Sequence, residues 1–514
     1  MSCQQIYFKT NEKQMLQSDF LFTGYSEDFS PLITVRKRTF LKKLSGCVVK
    51  FYLPILISLL PYQALAQVDT FLPAPVKNLP LPRKNFIASS FVITLDTAGM
   101  ENKETTFQGK KFVFKNITEK LQYAVNLAIQ KGGGTIRIPK GNYYINKNVV
   151  IDPYRSGPIA ISIYGNGSII APVYVENQQL VCIMTKCYSN PVKYELRVED
   201  LEFDGKYFFG NTSDFFKSRK NPPGLAVCAI AALNLKYVHI ANCKFRNLYG
   251  QAILVASQDF NKNSDTSIRA QYAEVYNNII YNCWGQQFFE TPNKQFDHYG
   301  DGILLSCVAK GAVFNNIIYN NLYETQFYGR CGIATDFQTE NIQIIRNRIH
   351  GYDRNLHFEN SRGGMQIRYN KMTGSEVGIL VWPMNTQLKH QNPLSIEYNY
   401  ISNWGIPMSF QTAARVMSKY SGLINFFSDS KIHEGSVVRF NTIEYTSQGF
   451  YGIFPERNPD RLLFLLSCQQ QKVQFSNNKF ITVQKDSKKP TIFIKYPNIT
   501  FTKNTYPGVL LKKN

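Results

Sequence analysis

A short pattern of apolar and polar positions recurs from residue 275 to the end of the chain. It consists of an apolar residue, two variable residues, asparagine, one variable residue and a second apolar residue. The asparagines are Asn278, Asn316, Asn347, Asn370, Asn399, Asn441, Asn478 and Asn504. Their spacing runs from 23 residues (347 to 370) to 42 residues (399 to 441). A unit that repeats in this way and tolerates insertions predicts a solenoid, in which each turn packs only on its neighbours.

These asparagines are expected to lie at a tight corner of each turn. Asparagine tolerates left-handed backbone conformations, and its amide can pair with the amide of the next turn. Cys243, between Ile240 and Phe245, occupies the same slot without the amide. We therefore expect a structural ladder rather than a reactive site.

A second set of apolar residues occurs once per turn and is predicted to point inward: Ile253, Ile303, Ile333, Leu356 and Ile379. Alternation along a strand then turns two further sets outward. One set is Leu304, Ala334, His357 and Leu380, and the other is Ser306, Asp336, Glu359 and Trp382. A histidine, two acids and a tryptophan are thus predicted to share one outer face.

The N-terminal part of the chain has a different pattern. Residues 1–66 carry basic clusters, an apolar run at 51–60 and Ala64-Leu-Ala66, as in an extension with a signal peptide. Residues 67–111 are predicted to be a proline-rich linker and lead-in. An amphipathic helix is expected from 116 to about 131, ended by Gly132.

That helix is followed by Gly-Gly-Gly-Thr-Ile-Arg-Ile-Pro-Lys-Gly-Asn-Tyr at 132–143 and by Ile-Ser-Ile-Tyr-Gly-Asn-Gly at 161–167. The two runs resemble the opening of the pectate-lyase-like β-helix superfamily. The resemblance implies an all-β fold, a right-handed parallel β-helix over residues 112–510 with an N-terminal capping helix. It implies no single reaction, because the superfamily includes hydrolases, lyases, epimerases and non-catalytic proteins. Its best-known catalytic motifs are not intact in this sequence.

The composition and the signal peptide indicate where the protein is located and what kind of partner it binds. The net charge of +22 favours a polyanionic partner. The signal peptide predicts a secreted or periplasmic protein without a stable membrane span after cleavage. An acidic polysaccharide is then the expected partner, whereas nucleic acid is not, because the basic residues follow no nucleic-acid-binding module. The oligomeric state stays open.

The predicted outer face supports two kinds of chemistry. Asp336 and Glu359 on adjacent turns suit glycoside hydrolysis, which needs an acid and a second carboxylate. Alternatively, His357 acts as the base of a uronate lyase or C5-epimerase, with Arg354 and Arg330 binding the sugar carboxylate. A non-catalytic protein that binds glycans or assembles at a surface is the third possibility.

Further residues are candidates for binding substrate. Trp382 is placed to stack on a sugar ring, and the long segment 257–299 is expected to overhang the face and to end in His298, Tyr299 and Asp301. The sequence has no zinc-ligand spacing and implies no cofactor, while a calcium requirement cannot be read from it.

Overall fold

The computed structural model describes residues 90–513 except for the segments 154–156, 174–179, 187–192, 210–226, 258–268, 292–293, 298–299, 321–326, 376, 383–391, 405–421, 427–432, 447–463, 469–471, 484–490, 495–498 and 508. The predicted extension at 1–66, most of the predicted linker, and His298 and Tyr299 lie outside the described residues.

Two β-sheets account for most of the described chain. The first has 24 strands, which form two ladders, face 1 and face 2. Ile159–Pro172 and Tyr194–Asp204 pass through both faces. Face 1 also contains Val92–Thr94, Gly134–Arg137, Tyr237–Ala241, Tyr272–Tyr276, Gly311–Phe314, Ile342–Ile345, Gln366–Arg368, Ser395–Glu397, Val437–Arg439, Gln474–Ser476 and Thr500–Thr502. Face 2 also contains Asn102–Phe107, Lys110–Asn116, Asn142–Ile145, Lys244–Arg246, Ile279–Tyr281, Ile317–Tyr319, Arg348–His350, Lys371–Thr373, Tyr400–Ser402, Thr442–Thr446 and Lys479–Val483.

The second sheet, face 3, has 14 strands. Its ladder contains Val149–Ile151, Leu180–Thr185, Val227–Leu233, Gly250–Ala256, Ile303–Ser306, Phe327–Asp336, Tyr352–Glu359, Val377–Trp382, Gly422–Phe426, Phe464–Cys468, Thr491–Ile494 and Leu510–Lys513. An antiparallel hairpin, Gly285–Thr291 with Lys294–Asp297, joins this sheet through Phe327–Asp336.

The ladders of all three faces are parallel, and each strand pairs with the strand one turn later in the chain. The turn Ile342–Ile345, Arg348–His350 and Tyr352–Glu359, for example, pairs with Gln366–Arg368, Lys371–Thr373 and Val377–Trp382. The antiparallel pair Asn102–Phe107 with Lys110–Asn116 precedes the regular turns. The predicted parallel β-helix is therefore confirmed.

The core lies between the three faces and is apolar. The residues predicted to point inward, Ile253, Ile303, Ile333, Leu356 and Ile379, are at most 1% exposed and pair in register. Cys182, Cys243, Cys283 and Cys331 are buried as well, and burial raises the pKa of the Cys243 thiol to about 12. These cysteines are small thiols packed inside the coil.

The asparagine ladder runs without interruption along the corner between face 1 and face 2. Each side-chain amide donates to the amide oxygen of the next asparagine, at 2.9–3.1 Å from Asn278 through to Asn504. Each also donates to a backbone carbonyl of the preceding turn, such as that of Ile344 from Asn370 at 2.8 Å. The predicted ladder is confirmed.

The left-handed residue of each corner is the one before the ladder asparagine, rather than the ladder asparagine itself. Asn242, Asn277 and Asn315 have φ values of 56°, 55° and 54° at the earlier corners. Tyr369 and Tyr398 have φ 58° at two later corners. This conformation strains an ordinary residue by about 1–2 kcal/mol. The sequence pattern therefore predicted the corner correctly. The left-handed conformation, however, lies one residue before the asparagine to which it was assigned.

The N-terminal helix spans Thr118–Gln130 and buries Leu121, Ala124, Val125 and Ala128 in the core. A second, four-residue helix spans Lys206–Phe209. Paired strands begin at Val92, so part of the predicted lead-in belongs to the sheets. Within the part of the chain that the structure describes, no helix has the length and apolar character to cross a membrane.

Candidate functional site

The candidate site lies on the outward side of face 3, across three strands that follow one another in the ladder. Asp336 pairs with Glu359, and Glu359 pairs with Trp382. Ala334, His357 and Leu380 form the neighbouring column in the same register. Paired strands are about 4.8 Å apart, so the predicted vertical neighbours are indeed brought together.

The outward side of face 3 is covered, not open to solvent as outward-pointing residues of a solenoid would suggest. Asp336 is 7% exposed and His357 only 1%. Leu304, Cys331 and Ala334 form a small apolar cluster beside them, separate from the main core. Glu359 and Trp382 are partly exposed. The site is therefore a buried cluster of polar groups that reaches the surface at Glu359 and Trp382.

Asp301 and Arg330 form one buried ion pair. The Arg330 guanidinium donates from Nε to Oδ1 of Asp301 at 2.9 Å and from Nη2 to Oδ2 at 2.6 Å. Both carboxylate oxygens also accept a further bond, from the backbone N–H of Cys331 at 3.1 Å and from the Gln251 amide at 3.2 Å. The sequence placed both residues among those that bind substrate, but in the structure their main contacts are with each other.

His357 is held between several polar groups. Its Nδ1 lies 3.4 Å from Nη1 of Arg354 and 3.6 Å from Sγ of Cys331. Its Nε2 faces Glu359, 3.6 Å from Oε2. Its ring stacks on Trp382 with the centroids 6.2 Å apart. These contacts fix the plane of the imidazole and direct Nε2 towards Glu359.

Arg354 is shared between His357 and a second acid. Its Nε donates to Oδ2 of Asp353 at 3.1 Å, and its side chain is 5% exposed. This arginine therefore has a carboxylate partner, Asp353, before any substrate carboxylate arrives.

Burial shifts the pKa values of two side chains in the site, Asp336 and His357. Burial raises the pKa of Asp336 well above its usual range, and repulsion from Glu359 adds to the shift. Burial also lowers the pKa of His357 well below its usual range, assisted by the charges of Arg354 and Arg330. Both shifts favour the uncharged form of the group, a protonated carboxyl at Asp336 and a neutral imidazole at His357.

Two polar atoms of the site are buried without a hydrogen-bond partner, Oδ1 of Asp336 and Nε2 of His357. Leaving such atoms unsatisfied costs about 1–3 kcal/mol each. A buried polar atom without a partner calls for an explanation, and a catalytic role or a bound group is one. The arrangement can donate a proton from Asp336 and accept one at His357 or Glu359.

Cys331 and Gln251 are the contacts that sequence reasoning missed. Cys331 pairs with Arg354 in the ladder, so the register could have indicated it. Gln251 reaches Asp301 from the preceding turn, and its amide has no distinctive sequence signal. Of the segment predicted to overhang the site, Tyr272–Tyr276 and Ile279–Tyr281 are ordinary strands of faces 1 and 2. Among the described residues, no group of three or more histidines, cysteines and acids is arranged to hold a metal ion.

Comparison with known proteins agrees with the architecture. The family model for a right-handed β-helix region matches residues 227–393. No curated protein sequence matches the chain. The solved structures similar to it include the A-module of mannuronan C-5 epimerase AlgE6 from Azotobacter vinelandii, with 13% identity, 77% of this chain and 96% of that chain covered, and a TM-score of 0.39.

Two other similar structures are the family 28 exopolygalacturonase of Yersinia enterocolitica and DFA-IIIase from Arthrobacter chlorophenolicus A6. The first has 12% identity, 83% of this chain and 78% of that chain covered, and a TM-score of 0.47. The second has 11% identity, 75% of this chain and 89% of that chain covered, and a TM-score of 0.45. The described strands of this chain therefore form a right-handed parallel β-helix fold, and the family match covers residues 227–393 of it.

Proposed function

We propose that this protein is a carbohydrate-active enzyme that hydrolyses a glycosidic bond of a polysaccharide. Asp336 is the general acid that protonates the leaving oxygen. Glu359 is the ionised carboxylate that attacks the sugar or activates water. The observation that carries the proposal is the in-register pair of these two acids, in which burial raises the pKa of Asp336.

The spacing and the protonation of the pair suit this chemistry. Glycosidases place two carboxyl groups about 5–9.5 Å apart, and partners on adjacent strands fall near the short end of that range. A short separation favours direct attack and retention of configuration at the sugar. A carboxyl group that keeps its proton at neutral pH is the form that a general acid requires.

The exposed end of the site suggests how substrate would enter. Exposure rises along the column from Asp336 to Glu359 and Trp382. A sugar ring approaching from this end would meet the tryptophan first and the acid pair next. The indole ring supplies a flat apolar surface of the kind that stacks on sugars, and its contact with His357 holds it in place.

The acidic character proposed for the substrate rests on the overall charge of +22 rather than on the site. Arg330 and Arg354 are each bound to a carboxylate, Asp301 and Asp353 respectively. Neither arginine offers the unpaired charge that a sugar carboxylate would need. Export, proposed from residues 1–66, would bring the enzyme to polysaccharides outside the cytoplasm.

Uronate β-elimination or C5-epimerisation is the second candidate function. It is favoured by His357, because an uncharged imidazole with an unpartnered Nε2 is the form that abstracts a proton. The two candidates differ in the residue that carries the reaction: Asp336 with Glu359 for hydrolysis, His357 for elimination or epimerisation. A glycan-binding protein without activity is the third.

The first test is an activity screen on acidic polysaccharides, such as polygalacturonate and alginate, with dextran as a neutral polymer. Hydrolysis produces new reducing ends without the ultraviolet absorbance of an unsaturated sugar, whereas a lyase produces both. We expect Glu359→Gln and Asp336→Asn each to lower the rate by about 10²–10⁴-fold, because each removes a proton-transfer or nucleophilic group.

Glu104→Gln is the matched control, because its side chain is 66% exposed and lies in the antiparallel pair that precedes the regular turns. It should leave the rate unchanged. Full activity of both Glu359→Gln and Asp336→Asn would refute hydrolysis by this pair. If activity is lost only in His357→Ala and the product is unsaturated or epimerised, the second candidate replaces the first. Binding of glycan without any product would leave only the third candidate, a glycan-binding protein without activity.

A further inference from the structure

A row of unusual side chains lies at the corner between face 1 and face 2, one residue before each of the last six ladder asparagines. We call it the corner ridge. In chain order its members are Arg346, Tyr369, Tyr398, Phe440, Asn477 and Lys503, all with φ between 53° and 59°. Successive members belong to successive turns, so the row runs along the outside of the coil, with the core between it and face 3.

Three neighbouring members of the corner ridge are aromatic, although the backbone conformation disfavours them. The corners at Asn242, Asn277, Asn315 and Asn477 use asparagine, which tolerates a left-handed conformation. Bulky side chains at positive φ are rare and strained, and such strain concentrates at functional sites. The left-handed conformation strains all three aromatic residues, Tyr369, Tyr398 and Phe440. Their rings gain stacking energy in only two pairs. Stability alone therefore does not account for their presence.

The three rings form one stack. The centroids of Tyr369 and Tyr398 are 5.2 Å apart at an interplanar angle of 9°, and those of Tyr398 and Phe440 are 4.9 Å apart at 6°. Tyr398 has a ring on each side yet is 41% exposed, so its exposed part is the ring edge and hydroxyl. The edge of an aromatic ring carries partial positive charge, and a phenol hydroxyl donates hydrogen bonds.

Cations surround the stack. Arg346 and Lys503 belong to the same row, on either side of the aromatic members. On the adjoining strands of face 1, Arg368 and Arg439 both pair with the single carboxylate of Glu397, and the Arg439 guanidinium lies 6.0 Å from the Phe440 ring centroid. Arg368, Arg439 and Lys503 carry three positive charges, and Arg368 and Arg439 share one carboxylate, that of Glu397, so this corner has an excess of positive charge beside the exposed ring edges.

We propose that the corner ridge is a second binding surface, remote from Asp336 and Glu359, for an anionic polysaccharide. The exposed ring edges, the tyrosine hydroxyls and the surrounding cations all favour negatively charged groups along a line that follows the coil. The choice of a polysaccharide among polyanions rests on the proposed function. The ridge supplies the attraction for an acidic polymer that the paired arginines of the candidate site do not.

The test compares polymer binding by the Glu359→Gln protein with and without the aromatic stack. Polygalacturonate is the probe and dextran the neutral polymer, with affinity measured by calorimetry at low and high salt. Replacing Tyr369, Tyr398 and Phe440 together by asparagine should weaken polygalacturonate binding at least about 10-fold, a loss of about 1.4 kcal/mol. The thermal midpoint should stay equal or rise, because asparagine tolerates the corner conformation.

Tyr123→Asn is the matched control, since Tyr123 is 64% exposed on the N-terminal helix, away from the corner ridge. It should bind polygalacturonate as the parent does. A second variant, Arg439→Gln with Lys503→Gln, keeps the stack and should reduce the salt dependence of binding. Unchanged affinity in both ridge variants, or equal binding of dextran, would overturn the proposal.

Two further outcomes separate the ridge from the proposed function. Ridge-dependent binding by a protein that hydrolyses nothing supports the ridge and refutes the enzyme. Tighter ridge-dependent binding of a short DNA duplex than of polygalacturonate would overturn the assignment to polysaccharide.

Discussion

Asp336 and Glu199 are both buried carboxylates, each 7% exposed, but their surroundings shift their pKa values in opposite directions. At Glu199 burial raises the pKa, but hydrogen bonds from His239 and Arg197 outweigh it and lower the pKa. At Asp336 burial dominates and repulsion from Glu359 adds to it, so the pKa rises. The ionised form of Glu199 is therefore stabilised by its partners, whereas the protonated form is favoured at Asp336.

The raised pKa of Asp336 makes the free energy of unfolding depend on pH. A carboxyl group whose pKa is raised by folding contributes stability that is complete below the unfolded pKa, about 3.8 for this group. That contribution is lost as the pH rises through the folded pKa. Asp336→Asn cannot ionise, so it should unfold at a higher denaturant concentration than the parent at alkaline pH. The gain should vanish at about pH 4, near the usual pKa of an aspartate.

Denaturant titrations across this pH range measure the effect. Asp96→Asn, at an exposed position near the N-terminal strands, is the control and should show no such pH dependence. A pH-independent difference between Asp336→Asn and the parent would show that Asp336 is ionised in the folded protein. Loss of activity together with a gain of stability is the combination expected of a strained catalytic residue.

The asparagine ladder is the element that holds the corners of successive turns in register. The side chain of Asn370 takes part in four hydrogen bonds: two that it accepts from Asn347 and two that it donates, to the Ile344 carbonyl and to Asn399. Asn504 accepts two bonds from Asn478 and donates to one carbonyl, and it is the last member of the ladder. The same side chain is thus embedded at one position and terminal at the other.

This difference predicts unequal costs of removing the side chain. Asn370→Ala leaves the buried amide groups of Asn347 without their acceptor and should lower the free energy of unfolding by about 3 kcal/mol or more, at 1–3 kcal/mol per unsatisfied group. Asn504→Ala should lower it by only about 1 kcal/mol, because water can replace bonds at a partly exposed corner. Chemical denaturation measures both. Equal losses would indicate that the amides act independently of their position in the ladder.

The whole coil explains which features the sequence could predict. The corner asparagines, the inward isoleucines and the pairing of Asp336 with Glu359 follow from a register that repeats each turn, so spacing alone indicated them. Burial of the outward side chains of face 3 differs from one turn to the next, so the repeat spacing does not indicate it. For that reason the burial of His357 and the engagement of Arg330 by Asp301 could not be predicted.

Each turn contacts only its neighbours along the coil, so damage to one turn should spread a short distance. In Asn370→Ala, hydrogen exchange followed by mass spectrometry should rise in peptides covering residues 342–350, 366–373 and 395–402, the turns whose strands pair directly. Peptides from 134–145 and 237–246 should keep the protection that they have in the parent, because several turns separate them from the substitution. Asn504→Ala, as the terminal control, should raise exchange only in peptides after residue 473. A uniform rise over all peptides would mean that the coil opens as one cooperative unit, since local opening exposes only the amides of the region that unfolds.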